Sequence, residues 1–493
     1  MNIPTLSSFV FYLVGMLAIG IYFYVRTKNL SDYVLGGRQL GGAVAALSAG
    51  ASDMSGWLLL GLPGAMYAGG MNNVWIGVGL VIGAYLNWQF VAHRLRSFTE
   101  AAKDSITLPD YLENRFNDKS RVLRVASAAV ILIFFTIYTS AGMVGGAILF
   151  ESTFGLDYNV ALWVGAIVIV SYTFLGGFMA VSWTDFFQGI LMFLALCAVP
   201  MFVVGKVGGW DTAVTKVAAM NAEHVDIFSG MSIMGIISLM VWGLGYFGQP
   251  HILARFMSVK STSEIPKAQL IGMSWMVLSL FGAIFTGFLG IAYFAGAPLE
   301  NSETVFIDLT QVLFNPWIAG VLLAAILAAI MSTIDSQLLV CSSTIAEDFY
   351  KQILRKDAPQ NELVWISRIA VLAIALIAIL LASNPDSKVL GLVSYAWGGF
   401  GAAFGPVIIL SLFWRRMTRN GALVGMILGA VTVIVWKQIE GGIFDMYEIL
   451  PGFILCALGI VVVSLLDKKP SAEVVGIFDE TPAHPIVQGY GEG

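Results

Sequence analysis

The sequence predicts an all-α membrane protein with about thirteen transmembrane helices. Of its 493 residues, 58% are hydrophobic and 12% are charged, whereas soluble globular chains average about 45–50% apolar and about 25% charged residues. Apolar runs of about 20 residues, the length that spans a bilayer, recur along the chain. Basic residues concentrate in alternate loops between these runs, as the positive-inside rule requires. The net charge of −5 is too small to indicate a nucleic-acid partner.

The predicted spans follow the apolar runs in chain order. They lie near residues 7–25, 42–68, 74–92, 125–149, 160–178, 186–205, 231–249, 270–294, 317–345, 366–383, 389–413, 421–437 and 446–466. No Lys or Arg precedes the first run, and Arg26 and Lys28 follow it, which is the reverse of a cleavable signal peptide. We therefore expect this run to remain as the first span, with the N-terminus outside.

The charge of the loops supports this topology. All but four of the 26 Lys and Arg residues fall in loops that the assignment makes cytoplasmic. The exceptions are Lys206, Lys216, Lys388 and Lys437. Residues 1–466 are thus predicted to form one transmembrane domain. Residues 467–493 are polar, and we expect a disordered cytoplasmic tail there.

Two of the spans are poor candidates for continuous helix. The second span holds two glycines within residues 48–57, and Gly61 and Pro63 follow. The seventh span holds three glycines and a proline within residues 242–250. Because glycine weakens a helix by about 1 kcal/mol and proline by about 3 kcal/mol, both spans are predicted to be interrupted.

The two interrupted spans are five spans apart. If spans 2–6 (residues 42–205) and spans 7–11 (residues 231–413) form two inverted repeats, the interruptions occupy equivalent positions. Such pairs mark the central binding site of secondary transporters. The alternative is that the glycines only let helices pack closely, but polar residues coincide with both interruptions, which favours a site.

Asp53 lies in the middle of the interrupted second span. A carboxylate at mid-bilayer costs about 2.5–3.5 kcal/mol on insertion scales and usually marks an ion pathway. Because no Lys or Arg lies within reach on the same span, its partner is either a bound cation or a proton. The alternative is that the carboxylate caps the second half of the helix. Asp185 and Asp335, near span ends, are each either solvated boundary residues or functional ones.

The ninth span offers hard oxygen atoms. Ser332 and Thr333 supply adjacent hydroxyls, and the carbonyl of Ala329 lies one turn earlier. These groups suit a sodium ion, although such hydroxyls also bond back to carbonyls of their own helix. The aromatic residues that either wall a small cavity or anchor the chain at the membrane interface are Trp57, Tyr138, Trp242 and Tyr246.

The sequence shows no motif for hydrolytic chemistry. The four histidines form no zinc spacing, and neither H-E-x-x-H nor G-x-S-x-G is present. We therefore expect no enzyme activity, no cofactor and no metal other than a coupling ion.

Four stretches carry a family resemblance: residues 47–57, 243–256, 328–333 and 393–406. From about residue 7 to about residue 466 the chain resembles the sodium/solute symporter family, and residues 245–250 resemble its proline-carrying branch. The resemblance implies a five-plus-five inverted-repeat (LeuT-like) fold with broken helices 2 and 7. It also implies sodium-coupled uptake of L-proline across the bacterial inner membrane by alternating access.

The resemblance also assigns site residues. For sodium it implies the carbonyls of Ala51 and Met54 with Ala329, Ser332 and Thr333, and Asp53 for tight binding. The proline site that it implies is lined by Ser55, Trp57, Gly61, Tyr138, Trp242, Tyr246 and Pro250. Arg38 and Asp185 match positions used for transport without substrate contact. Asp335 departs from the family's pattern, which has neutral residues there, so a second cation or altered coupling stays open.

The predicted partners are L-proline, sodium and membrane lipid, with no obligatory protein partner. Alternatives with the same fold are a carrier for another amino acid, pantothenate or a sugar, and a carrier driven by protons. A membrane-bound sensor is disfavoured because the short tail holds no signalling domain. A membrane-embedded enzyme is disfavoured because no catalytic constellation is present.

Overall fold

The computed structural model describes residues 3–24, 30–173 and 177–481, and in these ranges the regular elements are helices. The first eleven are α1 (Ile3–Tyr24), α2 (Leu30–Leu35), α3 (Gly42–Asp53), α4 (Leu62–Gly69), α5 (Val74–Leu86), α6 (His93–Ala101), α7 (Leu108–Arg115), α8 (Val122–Phe154), α9 (Tyr158–Thr173), α10 (Phe178–Val207) and α11 (Trp210–Met220). A π-helical segment, Trp57–Gly61, leads into α4, and another, Asn87–Ala92, joins α5 to α6.

The second half of the described chain continues in the same way. Its helices are α12 (Ile233–Met240), α13 (Pro250–Ser258), α14 (Ile265–Tyr293), α15 (Val305–Leu313), α16 (Pro316–Ser343), α17 (Gln360–Leu381), α18 (Val389–Phe413), α19 (Arg419–Trp436), α20 (Ile449–Leu466) and α21 (Ala472–Glu480). A 3₁₀ segment, Val241–Gly248, separates α12 from α13, and α16 ends in a π-helical segment, Thr344–Leu354.

The lengths and composition of these helices confirm the all-α membrane class. Within the described ranges, ten helical stretches are long and apolar enough to cross a bilayer, and the bent pair α12–α13 makes an eleventh. One stretch, Trp57–Ala101, runs through two of the predicted spans, and the apolar helix Tyr158–Ser171 is shorter than the rest. The count of thirteen spans therefore stays a prediction.

Helices α16 and α18 form the centre of the molecule. In the apolar 18-residue section of each of these helical stretches, 83% is buried, compared with 22% in α1. Helix α16 packs against α3, α8 and α10, whereas α18 packs against α8, α19 and the 3₁₀ segment. Peripheral helices such as α17 and α20 expose leucine and isoleucine side chains, which is the surface that lipid covers. Each interrupted helix thus lies beside one of the two central helices.

The expectation of a disordered tail is wrong for residues 472–480, which form α21. Ser471 caps this helix by accepting a hydrogen bond from the Val474 N–H, at 3.4 Å. The Phe478 ring packs against Phe98 of α6, with 6.0 Å between centroids. Val474, Ile477 and Phe478 share one helix face, a pattern too short to stand out in a polar sequence. Residues 482–493 lie outside the described chain.

Candidate functional site

The first interruption begins where α3 ends. Met54 leaves the helical conformation with φ −82° and ψ 70°, and helical structure resumes at Trp57. Gly56 lets the turn approach α16, because a Cβ there would lie 2.9 Å from the Ile330 side chain. The predicted break in the second span is therefore present, at residues 54–56.

The second interruption is longer and bent. Helix α12 gives way to the 3₁₀ segment, Gln249 is extended with ψ 109°, and α13 starts at Pro250. The two parts of the span are bent by 46°. A Cβ on Gly243 would lie 2.2 Å from the Gly79 carbonyl oxygen, and one on Gly245 would lie 1.8 Å from the Trp397 ring. These glycines allow the segment to press against α5 and α18.

Hydroxyl and carbonyl oxygens meet where the first break faces α16, and we call this contact the seam. The Ser332 hydroxyl donates to the Ala51 carbonyl at 2.8 Å, and its oxygen lies 3.1 Å from the Ala329 carbonyl oxygen. The corresponding distances for Thr333 are 3.5 Å and 3.2 Å. Both hydroxyls therefore bond back within their own helix, as the alternative held, and also reach across to α3. The seam is buried, as is Met54, whose carbonyl was predicted to belong to it.

The Asp53 carboxylate faces away from the seam. It is 2% exposed, and one of its oxygens accepts a hydrogen bond from the Tyr246 hydroxyl at 2.5 Å. Its other oxygen, Oδ1, has no hydrogen-bond partner among the described residues. Within the described chain, neither carboxylate oxygen accepts a hydrogen bond from the N–H groups that begin the next half-helix, so the capping alternative is wrong.

The four aromatic residues predicted either to wall a cavity or to anchor the chain at the membrane interface are buried around the first break. The interpretation of these residues as interface anchors is therefore wrong. The Trp57 indole and the Tyr138 hydroxyl both donate to the Asp53 carbonyl, at 3.3 Å and 3.4 Å. The Trp57 and Trp242 rings lie 6.3 Å apart. The Ser55 hydroxyl oxygen accepts from the Trp57 N–H at 3.4 Å. Together with Tyr246, these side chains surround the break.

Two other residues predicted for the solute site, Gly61 and Pro250, belong to the helices that follow the breaks. A Cβ on Gly61 would lie 3.1 Å from the Leu390 side chain, so this glycine faces α18. Pro250 lines a separate cavity of about 20 Å³ together with Thr107 and Ser343. A Cβ on Gly61 would also lie 3.4 Å from the Trp57 side chain, so Gly61 borders the aromatic group, whereas Pro250 begins α13.

A buried ion pair joins α13 of the second interrupted span to α10, and its arginine is also hydrogen-bonded to α3 of the first interrupted span. Arg255 of α13 donates to Asp185 at 3.0 Å, to Ser48 at 3.0 Å and to Ser336 at 2.5 Å. Ser48 also donates to Asp185, at 2.7 Å. Asp185, Arg255 and Asp335 are fully buried, so the reading of the two carboxylates as solvated boundary residues is wrong.

Sequence reasoning missed the role of Arg255, although it named the stretch that contains it. Ser48 lies one turn before Ala51, and Ser336 lies one turn after Ser332. The guanidinium therefore ties together the helices that flank the seam. The predicted seventh span ended at residue 249, which placed Arg255 in a cytoplasmic loop, whereas the structure includes it in the bent span and buries it fully.

Arg38 lies in a different part of the molecule. It has a positive φ of 55° and forms an ion pair with Asp104 at 2.8 Å. It also donates to the carbonyls of Met257 and Ser105, at 2.5 Å and 2.8 Å. Arg38 thus holds the connection before α3 against the end of α13 and the loop before α7.

Interrupted helices in two halves of a membrane protein, with buried oxygens beside one of them, define a secondary carrier with a central site for an ion and a solute. The sequence profile of the Sodium:solute symporter family matches residues 33–429. Because this is most of the chain, the protein belongs to that family. It is a multi-pass membrane transporter and not an enzyme.

Individual relatives cover the chain almost from end to end. The sodium/proline symporter of Salmonella typhimurium is 59% identical over 487 residues, which are 98% of this chain and 97% of that protein. The high-affinity proline transporter PutP of Bacillus subtilis is 54% identical over 468 residues, covering 94% of this chain and 98% of that protein.

Solved structures share the fold at lower identity. A Na⁺-coupled sialic acid symporter in a substrate-bound outward-open state has a TM-score of 0.80 and 20% identity, covering 95% of this chain and 99% of that one. MhsT in complex with L-phenylalanine has a TM-score of 0.53 and 14% identity, covering 86% and 97%. These likenesses confirm the predicted LeuT-like fold class.

Proposed function

We propose that the protein takes up L-proline across the bacterial inner membrane by sodium-coupled symport, with its N-terminus outside and its tail in the cytoplasm. The observation that carries this proposal is the seam, where oxygens of α16 meet the broken end of α3. The names of relatives that are 50% identical or more support proline as the solute. The positive-inside pattern supports the orientation.

Sodium would be coordinated at the seam by the carbonyls of Ala51, Met54 and Ala329 and the hydroxyls of Ser332 and Thr333. A hydroxyl can turn its proton away and offer a lone pair, so the same atoms that now hydrogen-bond across the seam can bind a cation. Such a shell carries no net charge, and the ion would join α3 to α16 more firmly than hydrogen bonds do.

Proline would bind in the aromatic group beside the break. Its ring is apolar, which suits the neighbouring faces of Trp57 and Trp242, with Tyr138, Tyr246 and Ser55 as polar neighbours. Because the Asp53 carbonyl holds both Trp57 and Tyr138, an ion that orders the break also orders these side chains. Gly61 and Pro250 would act indirectly, by shaping the broken helices.

Arg38, Asp185 and Asp335 would act in coupling and not in proline binding. Asp185 is held by Arg255 between the two repeats, and Arg38 braces the inner end of α13. Asp335 stands next to Ser336, whose hydroxyl is 3.4 Å from its carboxylate. A cation or a proton on Asp335 would alter the charge beside the seam.

The free energy released by one sodium ion is sufficient to drive the accumulation of proline. A monovalent cation that crosses 100 mV releases about 2.3 kcal/mol, and a tenfold sodium gradient adds about 1.4 kcal/mol. The total of about 3.7 kcal/mol supports several-hundred-fold accumulation of a neutral zwitterion.

Uptake of radiolabelled proline by vesicles that contain only this protein tests the proposal. We expect uptake to follow an inward sodium gradient and to stop when external sodium is replaced by choline at constant pH. Uptake that continues unchanged in choline would rule out sodium as the driving ion and favour protons. Competition by unlabelled amino acids, pantothenate and sugars tests the solute, and proline should compete best.

A further inference from the structure

A small cavity lies next to the first break, and Asp53 and Met54 are among the residues that line it. Its volume is about 20 Å³, which is enough for one water molecule or a bare monovalent ion. Helices α3, α5, α13 and α14 and the 3₁₀ segment supply its walls, and no residue of α16 lines it. The seam and this cavity are therefore separate compartments.

Two oxygens in the cavity wall lack partners. Asp53 Oδ1 and Asn87 Oδ1 belong to side chains that are 2% and 1% exposed, and neither oxygen is hydrogen-bonded within the part of the chain that the structure describes. Both residues line the cavity, as does Tyr246. Unpaired buried acceptors are costly, so two of them around one small space favour a ligand that is positively charged or donates hydrogen bonds.

The remaining walls offer little that could balance the carboxylate. They are mainly alanine, glycine, methionine, isoleucine and tryptophan side chains. Asp53 forms no ion pair within the described ranges. Its hydrogen bond from Tyr246 leaves the negative charge in place, and a carboxylate this deep in a membrane protein needs a cation or a proton.

Asn87 is fixed with its oxygen towards the cavity. Its amide nitrogen donates to the Tyr246 carbonyl at 2.9 Å, so the oxygen is the free end. Asn87 also begins the π-helical segment Asn87–Ala92 between α5 and α6. Such π turns occur often at functional sites.

From these observations we propose that Asp53 and Asn87 form a second position for a monovalent cation, distinct from the seam. The proposal rests on the sodium-coupled function above. Asp53 provides the charge and Asn87 a neutral oxygen, while the adjacent Met54 belongs to the seam through its carbonyl and to this cavity through its side chain. A single coupling ion can then occupy one compartment before the other.

The test compares two substitutions of Asn87. Leucine removes the amide oxygen, whereas aspartate keeps oxygen ligands and adds a charge. Both substitutions remove the N–H that bonds to Tyr246. We expect N87L to raise the sodium concentration for half-maximal proline uptake at least about tenfold, and N87D to leave it unchanged or lower it. Gln89→Leu, on the same turn but bonded to Gln269, is the matched control and should resemble the unaltered protein.

Sodium binding to the purified variants, measured without proline, supplies the second readout. If N87L and N87D both weaken uptake equally and neither shifts the sodium dependence, Asn87 only holds Tyr246 and the second position is wrong. If the unaltered protein needs no sodium, the proposed function fails first. If N87L does not insert into membranes, N87D alone decides, because an unchanged Na⁺/Li⁺ preference in that variant would contradict a cation beside residue 87.

Discussion

The two interruptions differ in what satisfies their backbone carbonyls. At the second break the partners are N–H groups: the Trp397 indole donates to the Trp242 carbonyl at 2.7 Å, and Asn87 donates to that of Tyr246 at 2.9 Å. At the first break, the Asp53 carbonyl also accepts from an indole N–H, that of Trp57, but Ala51 accepts from the rotatable hydroxyl of Ser332. An N–H can only donate, whereas a hydroxyl can also present a lone pair to a cation.

The two breaks also differ in how tightly they are packed. The second break is pressed against α5 and α18 through glycines that leave no room for a Cβ. The first break has a free carboxylate oxygen at Asp53 and a cavity beside it. The first interruption is therefore suited to ligands, and the second gives the span its shape.

The largest effect is expected from filling the second break. A Cβ at Gly245 would overlap the Trp397 ring at 1.8 Å, so Gly245→Ala should cost more than about 3 kcal/mol and leave little folded carrier. Gly391→Ala is the control, because a Cβ there meets nothing within 4 Å among the described residues. Expression and thermal unfolding in detergent measure both. A stable G245A carrier would show that the second break is looser than its packing indicates.

The next largest effect is expected from removing Arg255, which links the second interrupted span to Ser48 of the first. Arg255→Met should destabilise the carrier by about 3–5 kcal/mol, because Asp185 is left buried without a counter-charge. Adding Asp185→Leu should recover most of the stability but not the transport rate, since the tie between Ser48 and Ser336 stays broken. Thermal unfolding and proline uptake of the single and double variants measure this. Full recovery of uptake would limit the ion pair to a structural role.

A smaller effect, limited to the sodium dependence of proline uptake, is expected from a substitution at the first break. Ser332→Ala removes one proposed ligand and should raise the half-maximal sodium concentration by about tenfold, or about 1.4 kcal/mol. Ser367→Ala is the control, because that buried hydroxyl bonds to the Leu363 carbonyl of its own helix. Sodium titration of proline uptake separates the two. A normal sodium dependence in S332A would remove the seam from the mechanism.

The converse change at the second break should leave sodium binding alone. Trp397→Phe removes the N–H that satisfies the Trp242 carbonyl and should cost about 1–2 kcal/mol of stability. The sodium dependence of uptake is expected to stay the same. A shift in W397F as large as that in S332A would show that the two breaks are not specialised in the way their partners indicate.

The smallest effect concerns how the broken helices begin. Glu264 accepts a hydrogen bond from the Gly42 N–H at 3.0 Å, at the start of α3, whereas α12 is capped by its own Ser232. The Gly42 hydrogen bond and the Lys260 charge lower the pKa of Glu264. A lowered pKa stabilises the fold above the unfolded-state value and loses that effect as the pH falls through the folded value.

Glu264→Gln should therefore lower the melting temperature slightly at neutral pH. On acidification, the melting temperature of this variant should fall slightly less than that of the unaltered protein. Thermal unfolding between neutral pH and about pH 4, the ordinary range of a glutamate, measures this. Identical pH profiles of E264Q and the unaltered protein would mean that the cap contributes nothing measurable.

The sequence predicted the breaks well because glycine and proline act locally. Which oxygens meet at the seam was harder to predict, because Ala51 and Ser332 are 281 residues apart. Only the family resemblance connected these two residues. The direction of the Asp53 side chain could not be predicted, since it depends on how α3 is rotated against α5 and α14. Arg255 was missed for the same reason: its partners come from three other helices.

Helix α21 contacts two separate parts of the carrier, α6 and the segment that follows α18. Arg415, just beyond α18, pairs with Asp479 at 2.7 Å, while the Phe478 ring lies 5.0 Å from the Arg94 guanidinium of α6. A rearrangement that separates α6 from the segment after α18 must break one of these contacts or bend α21. Dyes placed on α21 and on the segment after α18 would then report such a rearrangement as a change in energy transfer.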